Sequence, residues 1–175
     1  MKMAANATPD LEDFRIEDAE DARQHNPTVD KLLKYFEKKT GGVRLAKRRD
    51  LNPNDLKEDL PEIGLFEPIY GAEGQFVDAD ISLLGSRLDE FYGHMTGKRV
   101  NQFNNPQVAA RVIEACREVT ERKQPLVVHA DALSRHKSHL SITVLYVPLS
   151  NDGKTVDRIF LHNQISSHYR GGGSH

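Results

Sequence analysis

Phe76-Val77-Asp78-Ala79-Asp80-Ile81-Ser82-Leu83-Leu84-Gly85-Ser86-Arg87-Leu88-Asp89-Glu90-Phe91-Tyr92-Gly93-His94-Met95-Thr96-Gly97-Lys98-Arg99-Val100 is the stretch on which the fold turns. In its first half Val77, Ala79, Ile81 and Leu83 alternate with Asp78, Asp80 and Ser82, the period-two pattern of a half-buried strand. Gly85 breaks the strand. Ser86 and Asp89 then stand three apart, a weak capping-box pair, and Leu88, Phe91 and Tyr92 mark a short helix over Ser86 to His94. Met95-Thr96-Gly97-Lys98 reads as a turn, with Gly97 free to take a positive φ.

Upstream, Ile63, Leu65, Phe66 and Ile69 predict a strand. Gly71 to Gly74 joins it to the quoted one as a hairpin. Arg44 to Pro61 is rich in turn formers, with a short helix near Pro53 to Asp59. Before it, Asn26-Pro27 is a helix start, and Val29, Leu32, Leu33 and Phe36 fall on one stripe of a helix that runs to about Lys39 and stops at Gly41-Gly42. Downstream, Asn105-Pro106 repeats the start signal. Val108, Val112, Ile113, Cys116 and Val119 share a face of a long helix ending near Lys123. Leu126 to Asp131, Leu140 to Leu149 and Val156 to Ile165 predict three strands, the last two joined through Ser150-Asn151-Asp152-Gly153. The order gives an α+β fold: a five-stranded antiparallel sheet with helices on one face and an N-terminal helical extension. The expected divisions are an acidic arm over 1–25, a domain over 26–166 and a flexible tail over 167–175.

Particular residues make the resemblance specific. Arg48-Arg49-Asp50-Leu51-Asn52-Pro53 leads into Leu60-Pro61. Leu84-Gly85-Ser86 closes a strand, Thr96-Gly97-Lys98 follows the short helix, and Val147-Pro148-Leu149-Ser150-Asn151-Asp152-Gly153 precedes the last strand. In this order they resemble the bacterial single-domain PAS family, a fifth PAS subgroup found mainly in alphaproteobacteria, over roughly Asn26 to Ile165. Where that family often carries Tyr-Arg-Leu-Val-Gly in its second strand, this chain has Ala79-Asp80-Ile81-Ser82-Leu83-Leu84-Gly85. The resemblance implies a sensory or regulatory module with a cavity between sheet and helices. It also implies cofactors to look for. Haem would want a His on the long helix, and Asn105 to Lys123 has none. A photoactive flavin site would want a Cys on the short helix, and Ser86 to His94 has none. No cofactor is evident.

Whole-chain properties narrow the function further. The 175 residues suit one domain. A net charge of −2 gives no general pull toward nucleic acid or anionic membrane. One cysteine precludes an internal disulfide, and no apolar run approaches the roughly 20 residues of a membrane span. A cytoplasmic location is expected, with no nucleic-acid and no membrane partner. Asp10 to Asp21 holds seven acids against Arg15, and Lys38 to Arg49 holds six basic residues. Either both are solvated faces or the acidic arm docks on the basic segment.

The chain lacks the phosphate-loop, serine-elbow and zinc-helix motifs, so no catalytic residue is assigned and the protein is expected not to be an enzyme. His129 with Asp131 is the one pair from which an enzyme could be built. His129 with His162 in adjacent strands, or His136 with His139, would be the start of a metal site, but convergent third and fourth ligands are wanting and no metal is assigned. Cys116, on the apolar face of a helix, reads as a small core residue.

The candidates to line a cavity are Phe66, Ile81, Leu83, Leu88, Phe91, Tyr92, Val112, Ile113, Val127, Val144, Tyr146 and Phe160. The plainer reading is that they fill the core. Tyr92 and Tyr146 could orient a small-molecule ligand through their hydroxyls. A signal would leave by contact with a signalling protein or a second copy as a homodimer, over the Pro27 helix and the outer sheet face. The alternative is an interaction adaptor with a filled core, dimerising through that helix.

Overall fold

The structure is a computed structural model, and the described residues are 14–131 and 140–167. Strand β1 (Phe14–Asp18) and a short helix α1 (Ala19–Ala22) precede helix α2 (Pro27–Thr40). Strands β2 (Ile63–Tyr70) and β3 (Phe76–Leu84) form a hairpin. Helices α3 (Ser86–Tyr92) and α4 (Pro106–Arg122) come next, then β4 (Leu126–Asp131), β5 (Leu140–Leu149) and β6 (Arg158–Ser167). The strands make one antiparallel sheet in the order β1-β4-β5-β6-β2-β3.

Among the described residues the sheet has six strands, not five. The extra one comes from the acidic arm. Phe14 and Ile16 alternate with Arg15 and Glu17, and the pairing of Phe14 with Ala130 and Ile16 with Val128 extends the sheet along the β4 edge. Among the described residues no acid of this region forms an ion pair with the basic segment. Glu17 contacts His25 and His129, Asp18 contacts Arg122 and Glu20 contacts Arg23, whereas Arg44 is held by Asp50 and Lys39 by Asp55. Asp10, Glu12 and Asp13 lie outside the described residues.

Helices cover both faces, not one. The Asn26 side chain accepts from the N–H groups of Thr28 and Val29, capping α2, and Gly41 ends it in the left-handed conformation. The stripe of Val29, Leu32, Leu33 and Phe36 is buried against the sheet, among Leu65, Val127, Leu145, Val147 and Phe160. Four such side chains contribute on the order of 8 kcal/mol of transfer free energy. The stripe that needed cover is therefore covered by the chain's own sheet, so it gives no reason for a partner to bind there. The other face carries α3 and α4, with Ile81, Cys116, Val119, Leu126, Val128, Val144, Tyr146, Ile159 and Leu161 in its core.

Two irregularities on β3 correct its expected alternation. The register with β2 shifts between Ile69 and Tyr70 and between Leu65 and Phe66, so Val77 and Ser82 are extra residues. Each shift reverses the parity of the residues after it. Ala79 and Ile81 face the core, while Val77 is 46% and Leu83 41% exposed. The β5–β6 connection is also broader than a tight Asp-Gly turn. Leu149 pairs with Arg158, and the intervening loop is closed by Asp152, whose carboxylate accepts from Lys154 and Thr155 N–H and the Ser150 hydroxyl. Those bonds hold its pKa down at about 2.

Gly85 is needed for space, not for freedom. Its φ of −61° is ordinary. A Cβ there would land on the Leu60 carbonyl oxygen and within 2.6 Å of the Pro61 carbonyl. Gly97, at φ +90°, does use the left-handed region.

Candidate ligand-binding cavity

Period-two alternation sends Val128 and Ala130 of β4 and Ile142, Val144 and Tyr146 of β5 toward one face of the sheet. Opposite them α4 presents Val108, Arg111 and Val112 at i, i+3 and i+4. Between these layers lies a cavity of about 340 Å³. Phe14 closes it on the β1 side, and Phe91, Tyr92 and Phe103 come from α3 and the connection after it. The size and apolar lining suit a small organic ligand.

Five of the expected lining residues reach this cavity: Phe91, Tyr92, Val112, Val144 and Tyr146. Phe66 and Leu88 line a smaller inner pocket that shares Tyr92, Phe103, Val112, Val144 and Tyr146 with it. Ile81 is buried in the same core, and Ile113 packs against that core; neither lines the cavity. Val127 and Phe160 belong to the opposite face, because each sits one residue out of phase with Val128 and Leu161, and they pack under α2. Phe36 meets Phe160 edge-on at 5.1 Å. Leu83 points outward beyond its bulge.

The polar lining comprises the exposed Asn104 and Asp131 and the half-buried Asn105 near the mouth, and a few groups set deeper. The Arg111 guanidinium, 7% exposed, lines the cavity and donates through Nη1 to the Asp131 carbonyl at 2.8 Å. The Asn163 amide, 2% exposed, donates to the Tyr92 hydroxyl at 2.7 Å. Burial pushes the Tyr92 hydroxyl up to about 12, opposed by its bond from Asn163, and pushes Tyr146 well above its usual range, so both stay protonated. Among the lining residues that sequence reasoning missed are Phe14, Phe103 and Arg111, and Asn163 in the smaller pocket. Two of these carried a signal. Arg111 interrupts the apolar face of Val108, Val112 and Ala115, and Asn163 interrupts the inward row Ile159, Leu161 and Ile165.

The other candidates scatter. Cys116 is fully buried, and burial raises its thiol far above the ordinary range, which makes it a poor nucleophile. His129 and His162 are not on adjacent strands, since β5 lies between β4 and β6. His129 bonds Glu17 at 2.8 Å, while His162 lies 3.5 Å from Asp59. The other nitrogen of the His129 ring faces the Thr143 hydroxyl, so both ring nitrogens are engaged by groups other than Asp131. His136 and His139 lie outside the described residues. Among the described residues no three His, Cys, Asp or Glu side chains converge as metal ligands, and no helix is long and apolar enough to cross a membrane.

The sequence model of the PAS domain matches residues 24–161. The chain belongs to the PAS domain family. The match takes in the fold from just before α2 to β6 and leaves β1 outside it. No curated protein matches the chain. Among solved structures, one of an RNA-binding light-oxygen-voltage receptor is similar, with a TM-score of 0.38 and 11% identity over 66% of this chain. This PAS chain spans 33% of that chain's length.

Proposed function

We propose that this PAS domain is a sensory or regulatory module that binds a small organic ligand between its sheet and α4 and passes the signal on by protein contact. One observation carries the reading: the 340 Å³ apolar cavity with a few buried polar groups, Arg111, Tyr92 and Tyr146, on its walls. Among the described residues this space opens to the surface, and an apolar groove of that kind with polar groups at its rim marks an interaction site. No residue acts as a catalyst in this reading. Its output surface is the outer side of β3, an edge strand that exposes Val77 and Leu83.

Native mass spectrometry of the purified chain, with a thermal-shift screen of metabolites, tests it. A co-purifying small molecule, or a Tm rise with one compound class, is expected. A bare mass and an unmoved Tm across the screen would sink the ligand reading and leave an interaction adaptor in its place.

A further inference from the structure

Next to the cavity, sharing five of its lining residues, lies a second pocket whose chemistry is more selective. The small inner pocket, about 10 Å³, is lined by Asn163, Tyr92, Tyr146, Phe66, Leu88 and Leu161 among others. That is room for about one oxygen atom. The Asn163 Oδ1 is buried there and has no hydrogen-bond partner among the described residues. Exchanging the amide oxygen and nitrogen does not remove the deficit. One amide group faces the Tyr92 hydroxyl, and the other is left over. The Tyr92 oxygen already accepts from Asn163, so its own hydrogen is available to donate. Tyr146 stands diagonally from Asn163 across the β5–β6 pairing, where Val144 faces Asn163 and Tyr146 faces Leu161.

We propose that Asn163 and Tyr92, with Tyr146 beside them, form a hydroxyl-recognition site, and that the cavity takes a neutral phenol with its hydroxyl inserted toward Asn163. The proposal rests on reading the cavity as a ligand site and adds the ligand's class. A hydroxyl is a single-heavy-atom group that both gives a hydrogen to Asn163 Oδ1 and accepts one from Tyr92. A carboxylate is larger and has no hydrogen to give, and an ammonium has no lone pair. A water molecule has the same donor and acceptor. A ligand hydroxyl in its place keeps both bonds, and a purely hydrocarbon end loses them. The aromatic walls favour a planar ring behind that hydroxyl. Phe91 meets Tyr92 edge-on at 4.9 Å, and Phe103 lies 5.4 Å from Tyr92.

Titration of the full chain with 4-ethylphenol and with ethylbenzene, matched in shape except for the hydroxyl, decides the matter. The phenol should bind at least about tenfold more tightly, the effect of one satisfied buried hydrogen-bonding group. In Asn163→Leu the ratio should fall toward one while ethylbenzene still binds. Equal Kd values in the unmodified chain would overturn the hydroxyl site and leave the cavity reading standing, and that result does not depend on the variant folding. Binding of neither probe, with a hit of another chemical class in the metabolite screen, also overturns the phenol assignment alone. Failure of every compound overturns both.

Discussion

At the scale of single residues, Gly85 and His162 show how the surroundings of a side chain set its role. Gly85 has ordinary backbone angles, and its small size is required by the Leu60–Pro61 carbonyls packed over its Cα. Gly85→Ala forces backbone against backbone where no flexible side chain can yield. It should destabilise the domain by about 3 kcal/mol, read as a fall in the urea midpoint. An unchanged midpoint would mean that the strand end relaxes freely. His162, 4% exposed, is held below its usual 6.5 chiefly by burial, against the attraction of Asp59 at 3.5 Å. The unfolded chain therefore takes up this proton first as pH falls. Stability should drop below about pH 6.5 and continue to drop until the folded histidine also protonates. His162→Gln should show a smaller fall in Tm between pH 7.5 and 5.5 than the unmodified chain. Parallel curves for the two proteins would assign the acid sensitivity elsewhere.

At the scale of elements, helix starts were plain in the sequence and strand parity was not. Asn26-Pro27 and Asn105-Pro106 act locally: each Asn side chain caps two N–H groups of its own helix. Asn26→Ala should cost about 1 kcal/mol from the cap, and it also removes a 2.9 Å bond from Asn26 Nδ2 to the Gln164 side chain. Thermal melts monitored by circular dichroism would register the loss, and a Tm within error of the parent would show that cap and cross-link are both dispensable. Strand parity depends on a partner strand. The alternation of Val77, Ala79, Ile81 and Leu83 is genuine in the sequence, but bulges at Val77 and Ser82 decide which of them face inward. A bulge is a property of the β2–β3 pairing, which no window on β3 alone contains. The same limit placed Val127 and Phe160 among the cavity candidates. Their strands are buried on both faces, so the apolar runs give no indication of side.

At the scale of the molecule, β1 completes both the sheet and the cavity although it lies outside the PAS match. Without it β4 would present unpaired backbone N–H and C=O groups at an edge, and the cavity would lose Phe14. Deletion of residues 1–18 should therefore give larger species than the full chain in size-exclusion chromatography, with any ligand-induced Tm shift diminished. Identical elution and identical shifts would show that the strand is dispensable.

The amino-acid sequence by itself determined the order and kind of the main elements from α2 to β6, the helix starts at Asn26 and Asn105, the glycine at the end of β3 and the family. These are written in short-range capping, periodicity and motif spacing. It also named Phe91, Tyr92, Val112, Val144 and Tyr146, which line the cavity. Only the tertiary structure decided that α2 packs on its own sheet, that the acidic segment supplies a sixth strand, and that Arg111 and Asn163 are polar groups buried at the cavity. Each depends on which face or edge meets which across long stretches of chain, a consequence of strand pairing and layer packing that local sequence does not carry.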